Sequence, residues 1–264
     1  MQKENIKFDE SLIFEGMTSI RAIIKSIDDN LSDRRIKRVF FDKDKYKKIS
    51  KEVGYLRAVS TKYGFELVET TSQHLENLTL GNSHGGIIAD ATFRTIPELT
   101  DAYTRGEIFP RGFYCIIQGI EDPYNFGYAI RSLYACGCNG IILGERNWMS
   151  AAGVVCRSSA GASELITIYK STDSACVDIF KSLKYNIVCA DERTNNILGE
   201  CELPYPLLLL VGGEKRGISK ELLSKADKLV KIDYARDFRA SLSAASATTM
   251  FAYEIMRQNK KMLN

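Results

Sequence analysis

Three segments of the chain bring glycines, polar side chains and cations to positions where chemistry can be done. The first runs Gln118-Gly119-Ile120-Glu121-Asp122-Pro123-Tyr124-Asn125-Phe126-Gly127, directly after the apolar run 113–118, and leads into a helical pattern that carries Arg131. Asn125 is a natural cap for that helix, and Arg131 lies about one and a half turns further in, where its guanidinium can reach a phosphate. The second, Gly212-Gly213-Glu214-Lys215-Arg216-Gly217-Ile218-Ser219, follows the apolar run 207–211. Paired glycines after a buried strand let a ligand approach the backbone closely, and Ser219 is placed to cap a helix. Neither G-x-G-x-x-G nor G-x-x-x-x-G-K-[ST] fits this spacing, which argues against a phosphate-cradling NTPase. The third, 238–249, holds Ser241, Leu242, Ser243 and a dense set of small residues at the start of a helical pattern ending near 258. Such density serves a ligand pocket or a tightly packed helix equally well. Taken singly, none of the three decides a function.

The elements around these segments give the fold class. Apolar β-rich runs at 113–118, 140–143, 165–168, 186–190, 207–211 and 229–232 alternate with helical patterns at 125–136, 173–184, 219–226 and 240–258. Strands apolar on both faces and separated by helices predict a doubly wound parallel sheet covered on both sides. Ligands of such sheets bind beyond the carboxyl ends of the strands, where the first two segments fall. The first ninety residues read as a smaller α/β unit: helical spacing at Ile20, Ile23, Ile24 and Ile27 and again from Ile49 to Val59, with strands at 38–41, 65–68 and 86–89. A connection containing Pro97 and Pro110, with room for one short helix, divides them. The expected domains are residues 1–105 and 106–264.

Composition narrows the class further. With 264 residues, 45% hydrophobic and 26% charged, the chain has the make-up of a globular protein of about two domains, not of a fibrous or disordered one. No apolar run approaches the roughly 20 residues that span a bilayer, so no membrane partner is expected. The opening MQKENIKFDE does not read as a secretory signal, and the expected compartment is the cytoplasm. Seven cysteines, an odd number scattered through apolar segments, read as buried thiols; Cys136 and Cys138 have no second pair beside them, and no metal site is expected. The net charge of +3 conceals a basic run at 34–51, with nine Lys/Arg that suit a phosphate-contacting surface or a solvated face.

In their order and spacing the three segments resemble the SpoU family of RNA ribose 2′-O-methyltransferases, of the SPOUT superfamily. Asp122-Pro-Tyr-Asn-Phe-Gly with Arg131 is similar to that family's first motif, Gly212-Gly-Glu-Lys-Arg-Gly-Ile-Ser with Val230-Lys-Ile232 to its second, and Ser241-Leu242 to its third. Arg157-Ser-Ser-Ala-Gly-Ala162 is similar to a connecting segment of the family, and the first ninety residues to a ribosomal-protein-like substrate domain. The chain has Ser243 where the family usually has Asn, Asp233 where it has Pro, and a loop about one residue longer before Leu242.

The resemblance implies a C-terminal domain with a trefoil knot, S-adenosylmethionine as cofactor, an rRNA or tRNA partner and a homodimer. It assigns catalysis to Arg131, Asn125, Glu214 and Ser243, and cofactor binding to Gly212, Gly213, Ile232, Ser241 and Leu242. Methyl transfer to a ribose hydroxyl is an in-line displacement, so the protein's work is alignment and stabilisation of the developing alkoxide. The alternative is an RNA-binding or ribosome-assembly protein on the same scaffold without methyl transfer, favoured only by Ser243.

Overall fold

The computed structural model describes residues 11–79, 84–144, 151–171, 173–213, 217–238 and 240–262. Its first elements are β1 (Ser11–Glu15), α1 (Gly16–Asp28), β2 (Ile36–Asp42), α2 (Tyr46–Tyr63), β3 (Glu66–Thr70), α3 (Ser72–Leu78), β4 (Ile87–Thr92) and α4 (Leu99–Thr104). Next come β5 (Phe113–Gln118), α5 (Pro123–Ala135), β6 (Gly140–Leu143), α6 (Ala152–Ser158), α7 (Ala162–Leu165), β7 (Thr167–Lys170) and α8 (Asp173–Ser182). The remainder is β8 (Asn186–Ala190), β9 (Leu207–Gly212), α9 (Lys220–Lys225), β10 (Lys228–Val230) and α10 (Ala244–Gln258).

The chain divides into two units, residues 1–95 with 149–165 and residues 96–148 with 166–264. The division thus falls at 95, ahead of the expected 105, because Leu99 and Ala102 of α4 are buried in the core of the second unit. Segment 149–165 joins the first unit because Cys156 packs among Phe14, Ile20 and Ala89.

In the first unit the sheet runs β1-β4-β2-β3, with β2 and β3 parallel and the other pairs antiparallel. Isoleucines 20, 23 and 24 of α1 and Val53 and Leu56 of α2 meet Val39, Phe41 and Ala89 of the sheet, the periodic residues that made the helices legible. Charge is buried here as well. Arg34 is 1% exposed; its Nε donates to Glu164 at 2.9 Å, and its guanidinium lies 4.6 Å from the centre of the Phe14 ring. Arg157 pairs with Glu15, Arg38 with Asp90 at 2.6 Å, and Lys45 with the fully buried Asp42 at 3.4 Å. The basic run is therefore not one surface. Arg34 and Arg38 are tied into the fold, whereas Arg35, Lys37, Lys43, Lys47, Lys48 and Lys51 are exposed.

The second unit is a six-stranded parallel sheet in the order β10-β8-β9-β5-β6-β7. Tyr114, Ile116, Leu208 and Leu210 face Val177 and Phe180 of α8, and the alternate residues Phe113, Cys115, Leu207 and Leu209 are buried on the other face. On that other side α5 and α10 pack against each other, and α10 lies against β9. The cysteines are free thiols, six of them buried; burial pushes Cys115 and Cys138 well above the usual thiol range, which keeps them protonated and inert. No group of three metal-ligating side chains occurs among the described residues, and no helix among them is long and apolar enough to cross a membrane.

Candidate active site

Strand order reverses around β5. From it the chain proceeds outward to β6 and β7, then returns on the opposite side to build β8, β9 and β10. In open parallel sheets this switch point opens a crevice at the strands' carboxyl ends. Here the loops after β5 and β9 meet at that end. The Gln118 carbonyl accepts from the Gly213 N–H at 2.6 Å, and the Gln118 side-chain oxygen accepts from the Ser219 N–H at 2.8 Å. Gln118 is thus the brace between the two loops, a role its position at the end of an apolar run did not announce.

The glycines serve this junction. A Cβ on Gly213 would run into the Gly119 carbonyl, and one on Gly212 would lie 2.5 Å from the Gly217 carbonyl carbon. Gly119 has φ +76, the left-handed region that favours glycine. The space that the sequence reading reserved at Gly212 and Gly213 for a ligand is taken at their Cα positions by the chain itself. Gly212 is half-buried and Gly213 buried, and the Gly213 N–H donates to Gln118 while its carbonyl accepts from the Gly217 N–H at 2.9 Å.

A cleft of about 400 Å³ opens beside the junction, lined by Gly119, Ile120, Glu121, Asp122, Pro123, Asn125 and Ala244. Its floor is the start of α5. Asp122, not Asn125, caps that helix: its carboxylate accepts from the N–H groups of Tyr124 at 3.3 Å and Asn125 at 3.1 Å, and Pro123 occupies the first turn, where a missing N–H costs nothing. The cap sits three residues earlier than Asn125, and this leaves Asn125 on the cleft wall.

The other expected residues are distributed around this centre. Arg131 is exposed on α5 and is not part of the cleft lining. Ser243 is the cap of α10; its Oγ accepts from the Ser246 N–H at 3.2 Å, and Ala244 immediately after it is a cleft wall. Serine and asparagine cap helices about equally well, so the exchange at 243 keeps this local geometry. Ile232 and Leu242 are half-buried and Ser241 is exposed, all on the segment between β10 and α10. Ser219 caps α9 by accepting from Leu222 N–H at 3.4 Å, as its sequence position suggested. Glu214 lies outside the described residues. Of the expected set, the structure brings Asn125, Gly213 and Ser243 to one end of the sheet; Glu121, Asp122 and Ala244 join them without having been singled out.

Comparison with known proteins follows the same region. The SpoU rRNA methylase family model matches residues 112–253, more than half of the chain. A putative TrmH family tRNA/rRNA methyltransferase of Bacillus subtilis is 26% identical over 86% of this chain and 90% of its own length. A 23S rRNA (guanosine-2′-O-)-methyltransferase of Blochmanniella floridana is 30% identical over 75% of this chain and 79% of its own. The fold is similar to that of the Streptomyces viridochromogenes SpoU methyltransferase AviRb solved in complex with AdoMet, with TM-score 0.75 and 20% identity over 95% of this chain and 91% of that one.

Proposed function

The chain belongs to the SpoU rRNA methylase family, and from that premise we propose that it transfers a methyl group from S-adenosylmethionine to a ribose 2′-hydroxyl of rRNA or tRNA. The observation that carries this reading is the cleft at the meeting of the β5 and β9 loops. Its volume lies in the range of small-molecule sites, its Gly119 turn lets a ligand approach the backbone closely, and Glu121 and Asp122 complement a cationic ligand. Gly212, Gly213, Ile232, Ser241 and Leu242 hold the cofactor in this reading from the loops beside the cleft, the two glycines by letting the β5 and β9 loops close on each other. The bound cofactor supplies an electrophilic methyl group.

The protein's own residues do the rest. Arg131 holds the phosphate beside the target ribose and stabilises the oxygen as negative charge develops on it. A guanidinium keeps its proton, so Arg131 works through charge and hydrogen bonds and not as a base. Asn125, two turns or less away on α5, and Glu214 orient Arg131 and the nucleotide. Ser243 acts through the placement of α10, since its hydroxyl is engaged in the cap.

The remaining parts of the proposal have their own support. β10 lies at one edge of the sheet while α10 packs on α5 and β9, so the chain returns across the sheet between them, which supports the trefoil knot of this reading. Exposed Tyr124, Tyr128 and Tyr134 on α5 with Met250 and Tyr253 on α10 form an apolar surface suited to a second copy, and light scattering showing a single-chain mass at micromolar concentration would remove the homodimer. The first unit binds the RNA through its exposed lysines, and the cytoplasm is the compartment of such substrates.

Incubating the protein with labelled S-adenosylmethionine and RNA from cells lacking the gene, then mapping alkali-resistant linkages, tests the reading. A defined 2′-O-methyl site is expected. RNA binding with no methyl transfer would establish the binding-protein alternative instead.

A further inference from the structure

The loop between β10 and α10 carries two aromatic rings that the fold leaves uncovered. Tyr234 is 37% and Phe238 54% exposed, and their rings pair edge to face at 64° with centroids 5.9 Å apart. The pair is held in place. The Tyr234 hydroxyl accepts from the Leu242 N–H at 3.2 Å, which closes the loop on itself. Leu242 stands two residues before Ala244, a wall of the cleft. At about 3.3–3.6 Å of chain per residue, the Tyr234 hydroxyl is anchored within roughly 10 Å of that wall.

The loop's charges limit what it can bind. Across 231–243 the sequence sets Lys231, Arg236 and Arg239 against Asp233 and Asp237, a net charge of +1, too little to make the loop a track for a phosphate backbone. What it offers is the faces of two rigid rings. Flat aromatic surfaces with little net charge are what RNA-binding modules present to unstacked bases, because every base has a π-face and stacking tolerates sequence.

We propose that Tyr234 and Phe238 form a stacking platform for a nucleobase of the RNA substrate, at a nucleotide neighbouring the one whose ribose faces the cleft. The platform rests on the methyltransferase reading for its substrate class and adds a base contact to a site otherwise built for ribose, phosphate and cofactor. It selects single-stranded or loop RNA, since a base inside a duplex cannot reach the rings.

The test titrates the full-length protein into a short single-stranded RNA containing 2-aminopurine, whose fluorescence falls on stacking. Wild type is expected to quench it. Phe238→Ala should bind roughly 5- to 150-fold more weakly, the worth of one stacked base, with Phe238→Trp restoring both affinity and quenching. Tyr234→Phe keeps the ring and releases the loop closure, and should fall between the two. S-adenosylhomocysteine affinity and the light-scattering mass should stay at wild-type values in both Phe238 variants. Three results overturn the platform: unchanged RNA affinity in Phe238→Ala, a parallel loss of S-adenosylhomocysteine affinity, which would make the rings a cofactor cover, or a fall in mass, which would make them a subunit contact. A wild type that binds no oligonucleotide overturns it too. A wild type that quenches the probe but methylates no RNA would instead defeat the functional reading and leave the platform standing.

Discussion

In the first unit Arg34, Asp42, Asp90 and Glu164 lie almost wholly out of solvent, each with an ionic partner, whereas the central strands β5, β6, β8 and β9 of the second unit carry no charged side chain and bury mainly aliphatic and aromatic ones. The two sheets solve different problems. A parallel sheet covered on both faces can be filled by hydrophobic packing alone, and its strand ends are then free to carry Gln118, Asp122 and the glycines that shape a cleft. The mixed sheet of the first unit must also hold segment 149–165, which arrives from between β6 and β7. The buried Arg34–Glu164 pair accepts few alternative partners, and with the partly exposed Arg157–Glu15 pair it ties that segment to the first unit.

The difference can be broken at its strongest point. Arg34→Ala leaves Glu164 buried with Arg94 at 3.9 Å as its ionic partner among the described residues, and should cost about 3–5 kcal/mol of stability in a urea titration. A loss below about 1 kcal/mol would mean that the buried pair does not hold the segment.

Arg131, exposed on the second unit, should behave in the opposite way. Arg131→Ala is expected to lower single-turnover methylation by about 10²–10³-fold while leaving stability and S-adenosylhomocysteine affinity near wild type. Full activity would remove it from the catalytic assignment.

Neutralising Lys43, Lys47 and Lys48 sharpens the division within the basic run. These exposed cations, unlike Arg34, should leave folding intact and lower the slope of log affinity against log salt by roughly 0.7–0.9 for each lost phosphate contact. An unaltered slope would make the run a solvated face.

The smallest effect is on pH dependence. Burial, and next the charge of Lys45, hold the His84 imidazole below its ordinary value, against the opposing pull of Glu15, Asp42 and Glu76. Folding thus favours the neutral form of His84. Its contribution is complete above the unfolded value of about 6.5 and is lost as pH falls through the lower folded value. His84→Gln should flatten the stability profile just below pH 6.5; the depressed carboxyl groups of Asp33 and Asp42 act only at more acid pH. A profile of unchanged slope would contradict this.

What was legible in the sequence follows from how local each cause is. Runs 113–118, 140–143 and 186–190 became β5, β6 and β8 with the expected bounds, because strands buried on both faces are continuous apolar segments. Strand β1 and helix α3 went unread. Five residues at a sheet edge and a seven-residue helix with one buried leucine carry too little periodicity. The chemistry-bearing loops were found, but the work of their glycines was not: that Gly213 needs no Cβ because of Gly119, and Gly212 because of Gly217, depends on which backbones meet. Arg34 read as one cation of a basic run because its partner lies 130 residues away.

We propose that the junction of the β5 and β9 loops builds the cofactor site, and isothermal titration of S-adenosylhomocysteine into wild type and Gly213→Val is the decisive experiment. One saturable site per chain is expected in wild type and no binding in Gly213→Val, whose side chain would force the loops apart at Gly119, with the circular dichroism of the two proteins alike. Folded wild-type protein that binds none, or a Gly213→Val protein that binds with wild-type affinity, would contradict it.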